Sequence, residues 1–276
     1  MQFSHLHNHS QFSLLDGASN IAAMIKKAKE DNMPAVAITD HGNMFGVFQF
    51  VSQATKNGIK PIVGCEFYLV EDRHQQSFTK EKKDKRFHQL FLAKNPTGYQ
   101  NLVKLCSLGY IEGMYSKYPR IDKELVLKHS EGLIATTCCL GAKVPQTILK
   151  SGEEEAEKEF KWWLDLFGED YYIEVQNHGI PEQQIVNETL LKFAQKHNVK
   201  VIASNDSHYL DQKDSNAHDI LLCINTGEKQ STPTYKDIEG DEDLRGKRFA
   251  FYNDQFYFKN TQEMTQLWSH IPQAID

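Results

Sequence analysis

The sequence predicts an α/β fold in which seven strands close into a barrel covered by helices. Three observations support this fold class. Short apolar runs alternate with amphipathic helical stretches, and helical stretches separate most of the runs. Most runs are continuously apolar, which is typical of parallel strands buried on both faces. The length of 276 residues fits one barrel-sized domain or two smaller ones.

The candidate elements follow one another in a βα order. The predicted strands are residues 3–6, 35–39, 60–70, 88–93, 132–137, 171–176 and 200–204. The predicted helices are residues 19–32, 45–57, 99–111, 153–167 and 180–197. Gly58 follows the second helix as a stop residue, and Pro181 lies in the first turn of the last. The pattern therefore predicts strands that are mainly parallel.

Two polar segments interrupt this pattern. Residues 71–86 are polar and predict either a solvated loop or hairpin, or a contact with a phosphate backbone. Their cations include Lys80, Lys82, Lys83, Lys85 and Arg86. Residues 226–253 are polar and separate the barrel pattern from a tail at 255–276, in which a helix-like stretch begins at Thr261. We therefore predict a barrel over residues 1–212 and a C-terminal extension over residues 213–276.

Composition narrows the function. Apolar residues are 40% and charged residues 25%, which excludes a disordered or collagen-like chain. The net charge of −6 argues against a protein that coats duplex DNA, although bound metal could supply positive charge locally. The chain shows neither a long apolar run nor a signal peptide, and its five cysteines lack paired spacing. These features predict a cytoplasmic protein with reduced thiols and no membrane partner.

Polar side chains follow or lie within every predicted strand. Because the carboxyl ends of parallel barrel strands meet at one rim, we expect these side chains to lie close together. They are, in chain order, His5, His7, His9, Asp16, Asp40, His41, Glu66, His88, Cys138, Cys139, Asn177, His178, Asp206 and His208.

This set predicts a metal centre. His7 and His9 point to one side of an extended chain, because side chains alternate with period two. Imidazole suits zinc, iron or manganese, and a carboxylate can bridge two ions, so the donors suggest two or three ions and phosphoester hydrolysis.

Some members have an alternative role. His5 either binds a metal ion itself or holds a metal ligand in place. Asp40 is likewise either a ligand or a hydrogen-bond partner that orients one. Asn177 and His178 either hold metal ligands in place or contact the substrate. Adjacent side chains point apart in an extended chain, so only one of Cys138 and Cys139 should reach the site.

At these residues the chain resembles the PHP (polymerase and histidinol phosphatase) domain family, in the branch at the N terminus of bacterial DNA polymerase III alpha subunits. The resemblance covers essentially the whole chain. The matching stretches are FSHLHNHSQFSLLDGA at 3–18, AVAITDHGNMFG at 35–46, GIKPIVGCEFYLV at 58–70, HQLFLAKNPTGYQNLVKL at 88–105, PRIDKELVLKHSEGLIATTCCLGAKVP at 119–145, VIASNDSHYL at 201–210 and DQFYFKNTQEM at 254–264.

The resemblance implies a distorted (β/α)7 barrel with three divalent metal ions, which could be Zn, Mn or Fe. One ion would be held by His7, His9, Glu66 and Asp206, and a second by Glu66, His88 and Cys139, with Glu66 bridging. The third would be held by Asp16, His41 and His208. The family pattern places Leu-Gly-Ala after its cysteine, which selects Cys139 over Cys138. Among these residues, Glu66, Asp206 and His208 are the predicted catalytic ones.

The resemblance also implies a function, a metal-dependent 3′→5′ exonuclease that could proofread. Its partners would be a single-stranded or mismatched DNA 3′ end, the rest of a polymerase chain and other replisome subunits. The chain itself should not polymerise nucleotides. The alternative is a non-catalytic domain that stabilises the polymerase and docks a separate proofreading subunit. A free-standing phosphatase and an amidohydrolase barrel fit less well, the latter because it needs eight strands and a metal-bridging lysine.

Overall fold

The structure, a computed structural model, describes residues 2–79, 83–234 and 248–275. It is a mixed α/β fold, as predicted, built on one curled seven-stranded sheet. The strands are β1 (Ala35–Ile38), β2 (Lys60–Val70), β3 (Phe87–Ala93), β4 (Arg120–Asp122), β5 (Leu133–Thr136), β6 (Tyr171–Val175) and β7 (Val201–Ala203). Six of them lie at predicted positions, whereas the three-residue β4 was missed.

The sheet has the strand order β1-β2-β3-β5-β6-β7, with β4 paired to the far end of β2. The pairs β1–β2, β2–β4, β5–β6 and β6–β7 are parallel. In contrast, β3 runs antiparallel to both β2 and β5. The reversal has a physical cause. A parallel neighbour needs a long crossover, usually a helix, and the described part of residues 71–86 contains none.

The first predicted strand, residues 3–6, does not form a regular strand. Residues 5–9 instead form an extended segment that hydrogen-bonds to both edges of the curled sheet. On one side Ala37 N donates to His5 O at 2.9 Å, and on the other His9 N donates to Ser207 O at 2.8 Å. The ladder is interrupted because Asn8 N donates to the Thr39 hydroxyl, a side chain, at 2.8 Å.

The described residues form nine α helices. The five predicted helices are present as α1 (Ile21–Glu30), α2 (Val47–Lys56), α3 (Pro96–Ile111), α6 (Glu153–Phe167) and α7 (Pro181–His197). The helix-like stretch expected in the tail is present as α9 (Thr261–Leu267). Three others were not predicted: α4 (Lys123–Lys128), α5 (Lys143–Ser151) and α8 (Ser215–Thr226). Within this part of the chain no helix has both the length and the apolar character needed to cross a membrane.

The helices pack their apolar faces on the outside of the sheet. Met24 and Ile25 of α1, Leu102 of α3 and Phe160 of α6 are buried in one large apolar cluster. One contact is close enough to require glycine, because a Cβ on Gly98 of α3 would lie 1.8 Å from the Gly132 carbonyl oxygen. This cluster fixes the strands that carry the polar rim described below.

The tail packs back onto the sheet. Residues 255–259 run beside residues 205–209, where Phe256 O accepts a hydrogen bond from His208 N at 2.8 Å. Phe258 N donates to Tyr209 O at 2.9 Å, and α9 buries Met264 in the main core. Residues 235–247, within the predicted polar separator, lie outside the described residues. The boundary between a barrel at 1–212 and an extension at 213–276 stays a prediction.

Candidate metal centre

All nine predicted metal ligands come together at one end of the sheet. Asp16 lies in a turn before α1, and the others follow or lie within the extended segments. His88 is at the start of β3 rather than its end. It reaches the same rim because β3 runs against its neighbours, so its first residues lie where β2 carries Glu66.

Glu66 occupies the middle of this group. Its Oε2 atom lies 2.9 Å from His7 Nε2 and 2.8 Å from His9 Nε2. Its Oε1 atom lies 2.6 Å from His88 Nδ1 and 3.5 Å from Cys139 Sγ. The two oxygens of one carboxylate therefore face two different sets of donors, which is the arrangement that a bridging ligand needs.

Asp206 joins the first set to His208. Its Oδ1 atom lies 3.3 Å from His7 Nε2, 3.1 Å from His9 Nε2 and 3.7 Å from His208 Nδ1. The rings of His7 and His208 thus both approach one oxygen atom, although the two residues are far apart in the sequence.

A third set contains Asp16. Its Oδ2 atom lies 2.8 Å from His41 Nε2 and 3.9 Å from His208 Nε2. The His9 ring packs against both of these rings, with centroids 4.0 Å from His41 and 4.2 Å from His208.

Four groups of donors have ligand atoms within 4.8 Å of one another. They are His9, His41 and His208; His7, His9, Glu66 and Asp206; His41, Glu66 and His88; and Glu66, Cys138 and Cys139. Each predicted ligand except Asp16 belongs to one of these groups. The assignment of each residue to a particular ion stays a prediction.

Unpaired polar atoms test whether these residues fit a metal. The buried atoms His9 Nε2, Asp16 Oδ1, His41 Nδ1 and Asp206 Oδ1 make no hydrogen bond of acceptable geometry within the described residues. A buried polar atom without a partner is costly. Bound cations would offset that cost at all four atoms, so the residues present fit a divalent metal centre.

Neighbouring acceptors also orient the rings. His7 Nδ1 donates to Glu174 Oε1 at 2.7 Å, and His208 Nδ1 donates to the Asp206 carbonyl oxygen at 2.8 Å. His9 Nδ1 donates to Ser13 Oγ at 2.9 Å, and Ser13 Oγ donates to Asp40 at 2.8 Å. Each ring therefore offers its Nε2 atom as a metal ligand.

Opposite charges within the cluster shift the pKa values of its members. Burial alone would lower the pKa of His9, but the close carboxylates of Asp206 and Glu66 raise it to about 10. Burial alone would raise the pKa of Glu66, but His88, His41 and His7 hold it well below its ordinary value. The Glu66 carboxylate is therefore ionised and the His9 ring carries a proton, which metal binding would displace. Burial and the neighbouring His9 instead lower the pKa of His208 to about 3, so that ring is neutral.

Glu174 is a functional residue that the sequence analysis missed. It lies in β6, is buried, and contacts His7 on the side away from Glu66. Thr136 Oγ1 donates to its Oε2 atom at 2.6 Å. The signal was available, because Glu174, like Glu66, is a carboxylate inside an apolar strand.

The expectation that only one of Cys138 and Cys139 reaches the site is wrong. The sulfur atoms lie 3.7 and 3.5 Å from Glu66 Oε1, respectively. The expectation assumed extended backbone, whereas Cys138 has φ of +58° and turns its side chain inward. Cys139 alone also contacts His88, with its sulfur 3.4 Å from Nδ1.

The remaining candidates contact protein groups. Asp40 accepts hydrogen bonds from Ser10 and Ser13, so it orients the segment that carries His9. His5 Nε2 donates to Lys259 O at 2.7 Å and holds the tail. The side chain of Asn177 accepts from Gly179 N.

His178 is buried with both ring nitrogens occupied. Its Nε2 atom donates to Asn205 O at 2.9 Å, and its Nδ1 atom accepts from Gln183 Nε2 at 2.8 Å. Burial lowers its pKa to about 4.

Comparison with known proteins agrees with the resemblance described above. The model of the PHP domain family matches residues 5–178. The DNA polymerase III subunit alpha of Borreliella burgdorferi is 44% identical over 100% of this chain and 23% of its own length. That of Thermus aquaticus is 44% identical over 99% of this chain and 21% of its own length. That of Treponema pallidum is 41% identical over 100% of this chain and 22% of its own length. The chain thus spans less than a quarter of these relatives.

Proposed function

Because this chain belongs to the PHP domain family, we propose that it is a metal-dependent phosphodiesterase that removes nucleotides from the 3′ end of DNA. One observation carries the proposal. Nine donors from distant parts of the sequence meet at one rim, and four of their buried polar atoms lack a hydrogen bond. In a purely structural cluster these atoms would have at most close charged neighbours, such as His9 Nε2 and Asp206 Oδ1 at 3.1 Å, without a hydrogen bond.

The proposed ligand sets are those of the family resemblance, with three ions of Zn, Mn or Fe. His7, His9, Glu66 and Asp206 form the first set, Glu66, His88 and Cys139 the second, and Asp16, His41 and His208 the third. Bound divalent ions supply nucleophilic water at neutral pH and stabilise charge on phosphoryl oxygens.

The protein side chains have separate tasks. Glu66 holds two donor sets in a fixed relation, and Asp206 ties His7 and His9 to His208. His208, His9 and His178 are the histidines near the cluster that could carry a proton. His178 is the least suited of them, because both of its ring nitrogens already have protein partners. His208 and His9 stay candidates for that role.

The relatives supply the biological setting. They are DNA polymerase III alpha subunits, which suggests DNA as the substrate and the rest of a polymerase chain as the partner. Other replisome subunits are further proposed partners, and the cytoplasm is the proposed location. Polymerisation is not proposed for this chain.

The test compares the intact chain with Asp206→Asn, both loaded with metal, on a 3′-labelled single-stranded oligonucleotide. We expect release of labelled nucleotide by the intact chain and loss of release in the variant. Asp211→Asn is the matched control, since Asp211 is an exposed aspartate that pairs with Lys27. Equal cleavage by all three proteins would identify a contaminating nuclease. No cleavage by the intact chain, with metal demonstrably bound, would favour the non-catalytic docking domain.

A further inference from the structure

Two recesses of different character open on either side of the metal cluster. The basic groove is a recess of about 480 Å³ lined by Phe45, Tyr68, Arg86, Tyr110, Lys117 and Tyr118. The apolar chamber is a recess of about 310 Å³ lined by Leu140, Ile180, Phe249, Phe251 and Phe256. Asp16, His41 and His88 line both recesses, so the cluster stands between them.

We propose that the two recesses receive the two sides of the scissile phosphodiester. The apolar chamber binds the terminal nucleoside, and the basic groove binds the strand from which it is cut. This inference rests on the proposed function and adds to it the residues that position the substrate.

The charges of the groove suit a phosphate backbone. The guanidinium of Arg86 lies 3.6 Å above the Tyr118 ring, which holds it in place. Asp84 pairs with Arg86 at 3.0 Å and also with the buried Arg120 at 3.0 Å, whereas the second groove cation, Lys117, hydrogen-bonds to the uncharged Asn225. Positive charge is therefore left over in the groove, although the whole chain is acidic.

Aromatic rings in the groove suit unpaired bases. Phe45 is 59% exposed and Tyr110 is 36% exposed, and their ring centroids lie 6.1 Å apart. Exposed aromatic side chains beside cations are typical of surfaces that bind single strands, because any base can stack on them. A rigid duplex has no free base faces to offer.

The chamber differs in charge and size. Its described lining contains no lysine or arginine, so it does not suit a second backbone phosphate. Its wall is firm, because Phe256 stacks on buried His178 with centroids 3.8 Å apart. A recess of about 310 Å³ is at the lower end of small-molecule sites. It fits one nucleoside rather than several.

This arrangement determines the product. Hydrolysis adds one water across the bond between phosphorus and the 3′ oxygen. The hydroxyl goes to phosphorus, a proton goes to the 3′ oxygen, and the products are a 5′-mononucleotide and a strand with a free 3′ hydroxyl. Because the chamber accepts one nucleoside, we expect mononucleotides as the products.

The groove is tested by strand binding without turnover. Fluorescence anisotropy measures the affinity of the metal-free full chain for a labelled single-stranded oligonucleotide. We expect Tyr110→Ala to weaken binding about 5- to 150-fold, the effect of one lost stacked base. Arg86→Ala and Lys117→Ala should each lower the slope of log affinity against log salt by about 0.7. Lys192→Ala, in an exposed ion pair with Glu153, and Phe48→Ala, at an 88% exposed ring outside both recesses, are matched controls.

The chamber is tested by filling it. Ile180→Trp should abolish calorimetric binding of deoxyadenosine monophosphate to the metal-loaded chain while the strand affinity of the groove is retained. Ile185→Trp is the matched control, because Ile185 is 53% exposed on α7 and lies outside the chamber. Unchanged mononucleotide binding in Ile180→Trp, or unchanged strand binding in the groove variants, would overturn the inference. Products longer than one nucleotide would do the same. If these binding differences appear but the intact chain never cleaves, the proposed function fails while the binding assignment stands.

Discussion

Glu174 Oε1 accepts a hydrogen bond from His7 Nδ1 at 2.7 Å, while Glu66 Oε2 lies 2.9 Å from the other ring nitrogen. A single buried imidazole is thus held between two buried carboxylates, of which only Glu66 faces the donor cluster. The outer carboxylate fixes the ring so that Nε2 is directed into the cluster.

Glu174→Gln should weaken metal binding about 10- to 100-fold, since the loss of a carboxylate behind a metal-binding histidine has effects of that size. Calorimetric titration of the metal-free chain with Zn²⁺ or Mn²⁺ measures the change. Glu157→Gln is the control, because Glu157 pairs on the surface with Lys196. Equal affinities of the Glu174 variant and the intact chain would contradict the role.

Glu66→Ala should empty at least one metal position while the fold persists. Glu66 is buried within β2, where an unpaired carboxylate would be costly, and its two oxygens face different donor sets. Elemental analysis of the purified variant gives the metal content, and circular dichroism monitors the fold. An unchanged ratio of metal to protein would count against a bridging role.

Acid should destabilise the chain through His178. Its folded pKa is about 4, below the ordinary value of 6.5, so between these values the unfolded chain binds a proton that the folded chain does not. Stability from this residue is present above pH 6.5 and is lost as the pH falls towards 4, to an extent of about 3 kcal/mol.

The measurement is the free energy of unfolding by urea over this pH range, in a chelator that removes the contribution of metal. His178→Gln cannot take up the proton, so its stability should fall less steeply with acid than that of the intact chain. If the free energy of unfolding falls equally steeply with acid in both proteins, His178 is not responsible for the loss of stability.

Arg120→Met should destabilise the chain by about 3–5 kcal/mol, because it leaves buried partners of a buried cation unpaired. Arg120 is fully buried in β4; its Nε atom donates to Gly113 O, and its Nη2 atom donates to Arg73 O and Gln75 O. Urea unfolding measures the loss. Lys94→Met, which removes an exposed ion pair with Asp170, should change stability by less than about 1 kcal/mol. If the two variants lose similar free energies of unfolding, the buried contacts of Arg120 are not the cause.

The donor cluster could be predicted because its members are polar residues in or just after apolar runs. That reasoning located Glu66 inside a strand, and it would have located Glu174 had it been applied to β6. It could not resolve Cys138, whose position depends on a local backbone turn with positive φ. Alternation of side chains applies only where the chain is extended.

The direction of β3 was not predictable from its composition. An apolar run reads the same whether its strand is parallel or antiparallel. Only the lack of a helix among the described residues of the connection before Phe87 indicates the reversal. Residues 3–6 have a strand-like composition, but just after them Asn8 N donates to the Thr39 side chain instead of a backbone oxygen. The periodicity of a sequence does not show where a side chain replaces a backbone hydrogen-bond partner.

The packing of the tail beside residues 205–209 has a consequence for the synthesis of the protein. His5 contacts Lys259, 254 positions later, and the backbone of His208 is held by Phe256. The predicted ligands His7 and His9 therefore leave the ribosome long before the residues that complete their surroundings. Contacts of such large sequence separation form slowly. We therefore expect the predicted metal centre to form only after the tail has been synthesised.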